Sequence, residues 1–270
     1  MLRWIVLIGI AYIGLLSILF FFQEQLLYFP QRLSPERSTV LHSRKDTESL
    51  ELRMSDGTTV RGWLVKNPSQ TPLRLLFYYG GNAEELSHMI DDSGKFGDRS
   101  LVLVNYRGYG ESGGKPGEKS LKQDALEIFD AIMKRPDVEP CSAILMGRSL
   151  GTGIAVHVAA HRPQTGVILV SPYDSMVSVA KLHYRFFPVD LLLRHRFDSL
   201  QWAPVITSPV LMLVADEDSI VPKPHSRSLA EHWGGKVDFI EIAKSDHNTI
   251  GFHPLYWNSI QDFLQGISRQ

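Results

Sequence analysis

The chain has one cysteine among its 270 residues. It therefore contains no internal disulfide and no multi-cysteine zinc or iron–sulfur site, and the lone Cys141 leaves the redox compartment open. An excess of either charge is missing too: 28 Lys and Arg stand against 29 Asp and Glu, for a net charge of −1. Without surplus cations to neutralise phosphates, nucleic acid is excluded as the main partner. Internal repeats and low-complexity tracts are lacking, which argues against a repeat architecture. No cofactor is expected.

The apolar residues are unevenly placed. Residues 1 to 22 hold 18 of them, leaving an ordinary globular composition for the rest, enough for one sizeable core. From Trp4 to Phe22 no residue is charged, and nineteen residues of helix span about 28 Å, the thickness of a bilayer's hydrocarbon. A cleaved signal has a shorter apolar stretch of about 7 to 15 residues and then a small-residue cleavage site. Here the run ends in Leu19-Phe20-Phe21-Phe22-Gln23-Glu24, so it reads as an uncleaved single-pass anchor rather than a signal or a buried core helix. Trp4 and Tyr28-Phe29 suit its two interfaces. The amino terminus with Arg3 balances Arg32 with Arg37, so flanking charge does not orient it. The organisation expected is an anchor over 1–22, a connector over 23–47 containing Pro30 and Pro35, and a catalytic domain over 48–270.

Beyond the connector, apolar runs alternate with helical patterns. Strands are predicted at 48–54, 60–65, 73–79, 101–106, 143–146, 167–170, 210–214 and 237–242. The later ones are continuous apolar runs, as in a parallel sheet covered on both faces. Helices are predicted at 120–133, behind a Ser120-x-x-Gln123 capping box, at 150–161 and at 255–265, with another start at Asn82-Ala83-Glu84-Glu85, Asn as the cap and Glu at the third position. Such alternation implies a doubly wound α/β sheet of about eight strands, with its site at the carboxyl ends of the strands.

Directly after the strand at 143–146 comes Gly147-Arg148-Ser149-Leu150-Gly151. G-x-S-x-G alone is a weak pattern. Its position between a buried strand and a helix opened by Gly151, Gly153 and Ala155 marks the sharp turn that exposes a nucleophilic serine. A serine hydroxyl needs a base, and the base an orienting carboxylate, in the order Ser, Asp or Glu, His. The segment 210–214 is followed by Ala215-Asp216-Glu217-Asp218, and 237–242 by Ala243-Lys244-Ser245-Asp246-His247. We assign Asp218 as the acid and His247 as the base; Asp216, Glu217 and Asp174 are rivals for the acid. Oxyanion donors are expected from the backbone N–H groups of Leu150 and of Asn82, in the Gly80-Gly81-Asn82-Ala83 loop. His157 and His161 lie i,i+4 on one helix but lack the H-E-x-x-H glutamate, so no metal is assigned.

These motifs resemble the α/β-hydrolase superfamily. More narrowly the chain looks like its branch of N-terminally membrane-anchored serine hydrolases, which includes bacterial esterase-like proteins and acyl-protein thioesterase relatives. The likeness runs through Leu27-Tyr28-Phe29-Pro30, Tyr78 to Ala83, Asn105 to Gly114, Gly147 to Gly151, Phe197-Asp198-Ser199, Asp218 to Pro222 and His247-Asn248. It implies an α/β-hydrolase fold with a short helical lid, and Arg107 buried behind the site against a carboxylate. Two positions depart from the branch, which usually has His at Gly80 and Gly at Ala215; the first is expected to leave the oxyanion loop less firmly held. Arg148 is expected either to touch substrate or to bind a neighbouring loop.

The lid is expected at about 176–203, where Phe186, Phe187, Leu191 and Trp202 mix with Lys181, Arg185, Arg194 and Arg196. It reads as an acyl-pocket lining that leans toward an anionic bilayer; the competing reading is a packed cap with solvated arginines. The expected function is cleavage of a small-molecule or lipid-like acyl ester or thioester. The alternatives are a peptidase or amidase using the same triad, and a membrane-tethered scaffold without turnover.

Overall fold

A computed structural model describes residues 1–268; 269–270, the end of the expected domain, lie outside the described residues. All eight expected strands form: β1 Thr47–Arg53, β2 Thr59–Val65, β3 Leu75–Tyr79, β4 Ser100–Val104, β5 Ile144–Arg148, β6 Gly166–Val170, β7 Val210–Ala215 and β8 Val237–Ile242. They make one sheet in the order β1-β2-β4-β3-β5-β6-β7-β8. β1, β2 and β4 pair antiparallel, and every pair from β4 through β3 to β8 is parallel. β3 to β7 are buried almost throughout, as their unbroken apolar runs require, whereas β8 on the edge buries only Ile242.

Alternate strand residues feed two cores. One face sends Phe77, Leu145, Leu169 and Met212 against helix α3 (Glu118–Met133) and helix α4 (Leu150–His161). The other sends Leu76, Met146, Ile168 and Leu213 against helix α8 (Pro254–Ser268). In α3 the buried apolar positions are Leu121, Ala125, Ile128, Phe129 and Ile132, at the spacing of one helical face. Each large one contributes about 1.5 to 3 kcal/mol through burial.

The predicted helix starts need correction. α3 begins at Glu118, two residues before the proposed box, and Gly117 at its N-cap makes no side-chain cap bond. Ser120 instead donates to the Gly117 carbonyl and Gln123 to Glu127. No α-helix starts at Asn82: a 3₁₀ turn spans Leu86–Ile90, and the carboxylate capping its Ser87 N–H belongs to Glu85.

The N-terminal helix, α1 (Leu2–Leu27), continues past residue 22. It is long and apolar enough to cross a membrane, and its apolar window is not buried against the rest of the protein. It continues because Gln23, although polar, finds partners in its own helix and in the segment 176–203. Its amide nitrogen donates to the carbonyls of Phe20 (2.8 Å) and Leu192 (3.2 Å), and its oxygen accepts the Arg194 N–H at 2.8 Å. The connector also carries a helix the patterning missed, α2 (Pro35–His42). Its signal was present in Ser34-Pro35-Glu36: Ser34 Oγ accepts the Arg37 N–H, and proline occupies the first turn.

Within 176–203 two short helices form, α5 (Met176–His183) and α6 (Val189–Leu192). The last α-helix not yet placed, α7 (Lys223–Glu231), links β7 to β8.

Candidate active site

Ser149 joins β5 to α4 at φ 50° and ψ −117°, a sparsely populated conformation that costs of order 1 to 3 kcal/mol for a residue with a side chain. Its surroundings impose it. The Ser149 N–H donates to the Val170 carbonyl on β6 at 2.9 Å, and its own carbonyl accepts the Thr152 N–H and hydroxyl. The flanking glycines are required by contact. A Cβ on Gly147 would lie 2.4 Å from the Gly151 carbonyl oxygen, and one on Gly151 would lie 2.0 Å from that of Tyr79. The turn is thus pressed against the end of β3, which is what carries the Gly80-Gly81-Asn82 loop to it.

Asp218 and His247 follow β7 and β8 at the same end of the sheet. His247 Nε2 stands 2.9 Å from Ser149 Oγ, and its Nδ1 stands 2.8 Å from Asp218 Oδ2. The other oxygen of Asp218 accepts the N–H groups of Ile220 (3.0 Å) and Val221 (2.8 Å). Burial pushes the Asp218 carboxyl up, but the hydrogen bond and charge of His247 and the Val221 N–H outweigh it, and the group is held below the ordinary carboxylate value. An ionised Asp218 has no proton to offer, so His247 Nδ1 is the donor of that bond and Nε2 is left as an acceptor toward the serine hydroxyl. The line Asp218–His247–Ser149 can therefore take a proton from Ser149. The loop behind His247 is set by Asp246, whose carboxylate accepts the N–H groups of Asn248 and Thr249.

Two of the rivals for the acid, Asp174 and Asp216, have other partners. Asp174 Oδ1 stands 3.0 Å from Nδ1 of His225 and accepts the Ser175 N–H. Asp216 pairs with Lys223 on the surface.

Leu150 is the first residue of α4, where N–H groups have no partner inside the helix. Asn82 lies in the loop beyond β3, and its side-chain oxygen is taken by the Phe29 N–H and the Tyr109 hydroxyl, both at 3.2 Å. That use replaces the helix-capping role expected for it. The loop is also more firmly held than Gly80 led us to expect: the Gly80 carbonyl accepts the Tyr106 hydroxyl at 3.0 Å, and the Gly81 N–H donates to Glu84 at 2.6 Å. A Cβ at position 80 would meet the tip of the Leu86 side chain at 2.5 Å, so a larger residue there requires Leu86 to shift. Tyr106 belongs to the Asn105 to Gly114 stretch of the likeness, whereas no motif marks Glu84. Glu84 had no signal of its own beyond its proximity to the Gly-Gly pair.

Arg107 is buried and forms a two-pronged pair with Asp124, at 2.6 Å on each prong, with Asp56 as a further partner. Arg148 turns to a neighbouring loop, donating to the His247 carbonyl at 3.1 Å. The His157 and His161 rings lie 4.3 Å apart at a 42° tilt, beside Trp202. Burial first, then the charge of His161, pulls His157 down to about 4. Among the described residues no group of three or more His, Cys, Asp or Glu is arranged to hold a metal.

The family described as serine aminopeptidase, S33, matches residues 95–188, the segment that contains Ser149. An uncharacterized protein of Mycobacterium tuberculosis is 28% identical over 251 residues, 90% of this chain and 87% of that protein. The human alpha/beta hydrolase domain-containing protein 17B is 29% identical over 238 residues, 85% of this chain and 80% of that protein. Among solved structures, the Pyrococcus furiosus esterase Pf2001 superposes with a TM-score of 0.71 at 15% identity, covering 90% of this chain and 97% of that one. At that identity the likeness is one of fold. The chain is a member of the α/β-hydrolase superfamily with an apolar N-terminal helix. Within that superfamily it is a hydrolase.

Proposed function

We propose that the chain is a membrane-anchored serine hydrolase that cleaves an acyl ester or thioester through an acyl-enzyme. The observation that carries this reading is the unbroken line from Asp218 through His247 to Ser149. Ser149 Oγ attacks the substrate carbonyl carbon while His247 Nε2 takes its proton. Asp218 holds the imidazole in the required tautomer and stabilises the imidazolium. The N–H groups of Leu150 and Asn82 receive the oxyanion. His247 then protonates the leaving group, and water repeats the sequence to free the acid and regenerate Ser149. No cofactor enters these steps.

An apolar cavity of about 200 Å³ supports an acyl group in the substrate. It lies between α1 and the lid, lined by Leu19 and Leu26 on one side and by Val179, Phe187 and Leu193 on the other. His183 on its wall stands 3.0 Å, through Nε2, from the carbonyl of Ile220, two residues from Asp218. The membrane reading is supported by α1 and by the exposed Tyr184, Phe186 and Leu191 beside it. The lid's cations are partly committed: Lys181 pairs with Asp190, and Arg194 reaches Glu24 and lies over the Phe20 ring at 5.2 Å.

The serine aminopeptidase description of the matched family favours a second reading, cleavage of an amide by the same groups. The test is a rate series with p-nitrophenyl acetate, octanoate and dodecanoate, the matching thioesters, and an aminoacyl p-nitroanilide, on wild type and Ser149→Ala. Ester or thioester turnover that rises with chain length and vanishes in the variant is expected. Turnover of the anilide alone would transfer the assignment to the second reading, and wild-type rates equal to those of Ser149→Ala would reject both.

A further inference from the structure

Glu84 takes no part in the reaction just described, yet its side chain is only 8% exposed and its two oxygens gather four partners. Oε1 accepts the Tyr78 hydroxyl at 2.7 Å and stands 3.1 Å from His88 Nε2. Oε2 accepts the Gly81 N–H at 2.6 Å and lies 3.5 Å from Arg148 Nη1. Arg148 is the residue before Ser149, and its Nη2 donates to the His247 carbonyl at 3.1 Å. One buried carboxylate is thereby joined to the loop that carries Asn82, to the residue beside the nucleophile and, through Arg148, to the backbone of the base.

A Gly-Gly pair is the part of a loop most free to wander. Here residue 80, being glycine, offers no side chain to tether the loop. A charge-assisted bond from the Gly81 N–H to Glu84 does so from outside. The same carboxylate supplies the opposite charge beside Arg148, which would otherwise be largely removed from water without a counter-ion.

We propose that Glu84 and Arg148 are a coupled pair of positioning residues, holding the oxyanion loop and the His247 loop at fixed separations from Ser149. The proposal rests on the serine hydrolase reading above. It asks the pair to act on turnover, since misplacing a reacting group by about 1 Å costs on the order of a hundredfold in rate while leaving the acyl-binding surface intact.

The test is a double-mutant cycle in the full chain, in detergent: wild type, Glu84→Gln, Arg148→Met and the double variant. Each is assayed with p-nitrophenyl acetate at a temperature where all are folded by circular dichroism, with Ser149→Ala as the blank. Each single change is expected to lower kcat about 10- to 100-fold with KM altered by less than about threefold, and the double variant to be no slower than the slower single within about threefold. A second measurement, the rate at which a fluorophosphonate acylates Ser149, is expected to fall in parallel. If Glu84→Gln does not fold, Arg148→Met alone must show the loss of kcat at unchanged KM. Unchanged kcat in the folded single variants, or losses that multiply in the double, overturns the coupled pair while leaving the serine hydrolase reading intact. Wild-type turnover no greater than that of Ser149→Ala removes both.

Discussion

Asp174 is bound to His225, with Oδ1 3.0 Å from Nδ1, and so does not serve the imidazole that faces Ser149. The two carboxylates at the ends of β6 and β7 thus serve different histidines. Asp218→Asn is expected to lower kcat by about 10⁴-fold, because an amide can hold His247 in the wrong tautomer. Asp174→Asn is expected to leave kcat within about threefold. Steady-state kinetics with p-nitrophenyl acetate check the pair, and equal losses in both variants would contradict the assignment.

Gly151 has no room for a methyl group, since its Cβ would stand 2.0 Å from the Tyr79 carbonyl and 2.6 Å from that of Gly80. Neither contact is with a flexible side chain. Gly151→Ala is expected to force α4 away from β3, with a loss of several kcal/mol in stability and no measurable turnover. Gly266→Ala, where a Cβ meets nothing within 4 Å inside α8, is the control and should be as stable as wild type or up to about 1 kcal/mol more stable on chemical denaturation.

The sheet was legible because β3 to β7 are apolar on both faces and punctuated by turn residues, so their sequence carries the signal by itself. Ser149, Asp218 and His247 could be chosen because each closes a strand, in an order the fold restricts. Asn82 was misread as a cap because the groups that claim its side chain, Phe29 and Tyr109, lie 53 and 27 residues away. Glu118, not Ser120, opens α3, because its carboxylate is held by the distant N–H groups of Arg196 and Phe197. Glu84 was invisible for the same reason: its role is defined by Arg148, 64 residues further on. Local patterning sees elements and motifs, whereas the groups that tie loops together are chosen by tertiary contact.

Burial would raise the Glu84 carboxyl, but His88, Arg148, the Gly81 N–H and Tyr78 together hold it down at about 2, against an ordinary 4.5. Its folded value lies below its unfolded one, so between the two the unfolded chain binds more protons. The stabilisation is therefore complete above about pH 4.5 and lost as the pH falls toward 2, with a magnitude of about 3 kcal/mol. The gap in Tm between wild type and Glu84→Gln should be wide at pH 7 and close through that window. A gap that does not vary with pH would contradict the ionised, paired state.

Arg107 and Asp124 form a pair that is buried on both sides, with side chains 9% and 5% exposed. Asp56 and Thr58 stay with Arg107 when Asp124 is changed, so the loss is partial. Asp124→Asn is expected to cost about 1 to 3 kcal/mol in urea unfolding, while the folded fraction keeps the wild-type kcat. A large fall in kcat at full folding would make Arg107 part of the reaction.

Leu26 lies on the wall of the cavity between α1 and the segment 176–193 and is itself 56% exposed, so enlarging it leaves the core untouched. Leu26→Trp is expected to reduce dodecanoate ester hydrolysis by at least about tenfold with the acetate rate unchanged. An unchanged ratio of the two rates would place the acyl chain elsewhere.

We propose Ser149, activated by His247 and Asp218, as the nucleophile. This assignment is tested most directly by incubating the purified full chain in mild detergent with a fluorophosphonate probe and mapping the modified residue by mass spectrometry. One stoichiometric adduct on Ser149 is expected, absent from Ser149→Ala and strongly slowed in His247→Ala. No adduct on folded wild-type protein, or an adduct that persists in Ser149→Ala, would contradict it.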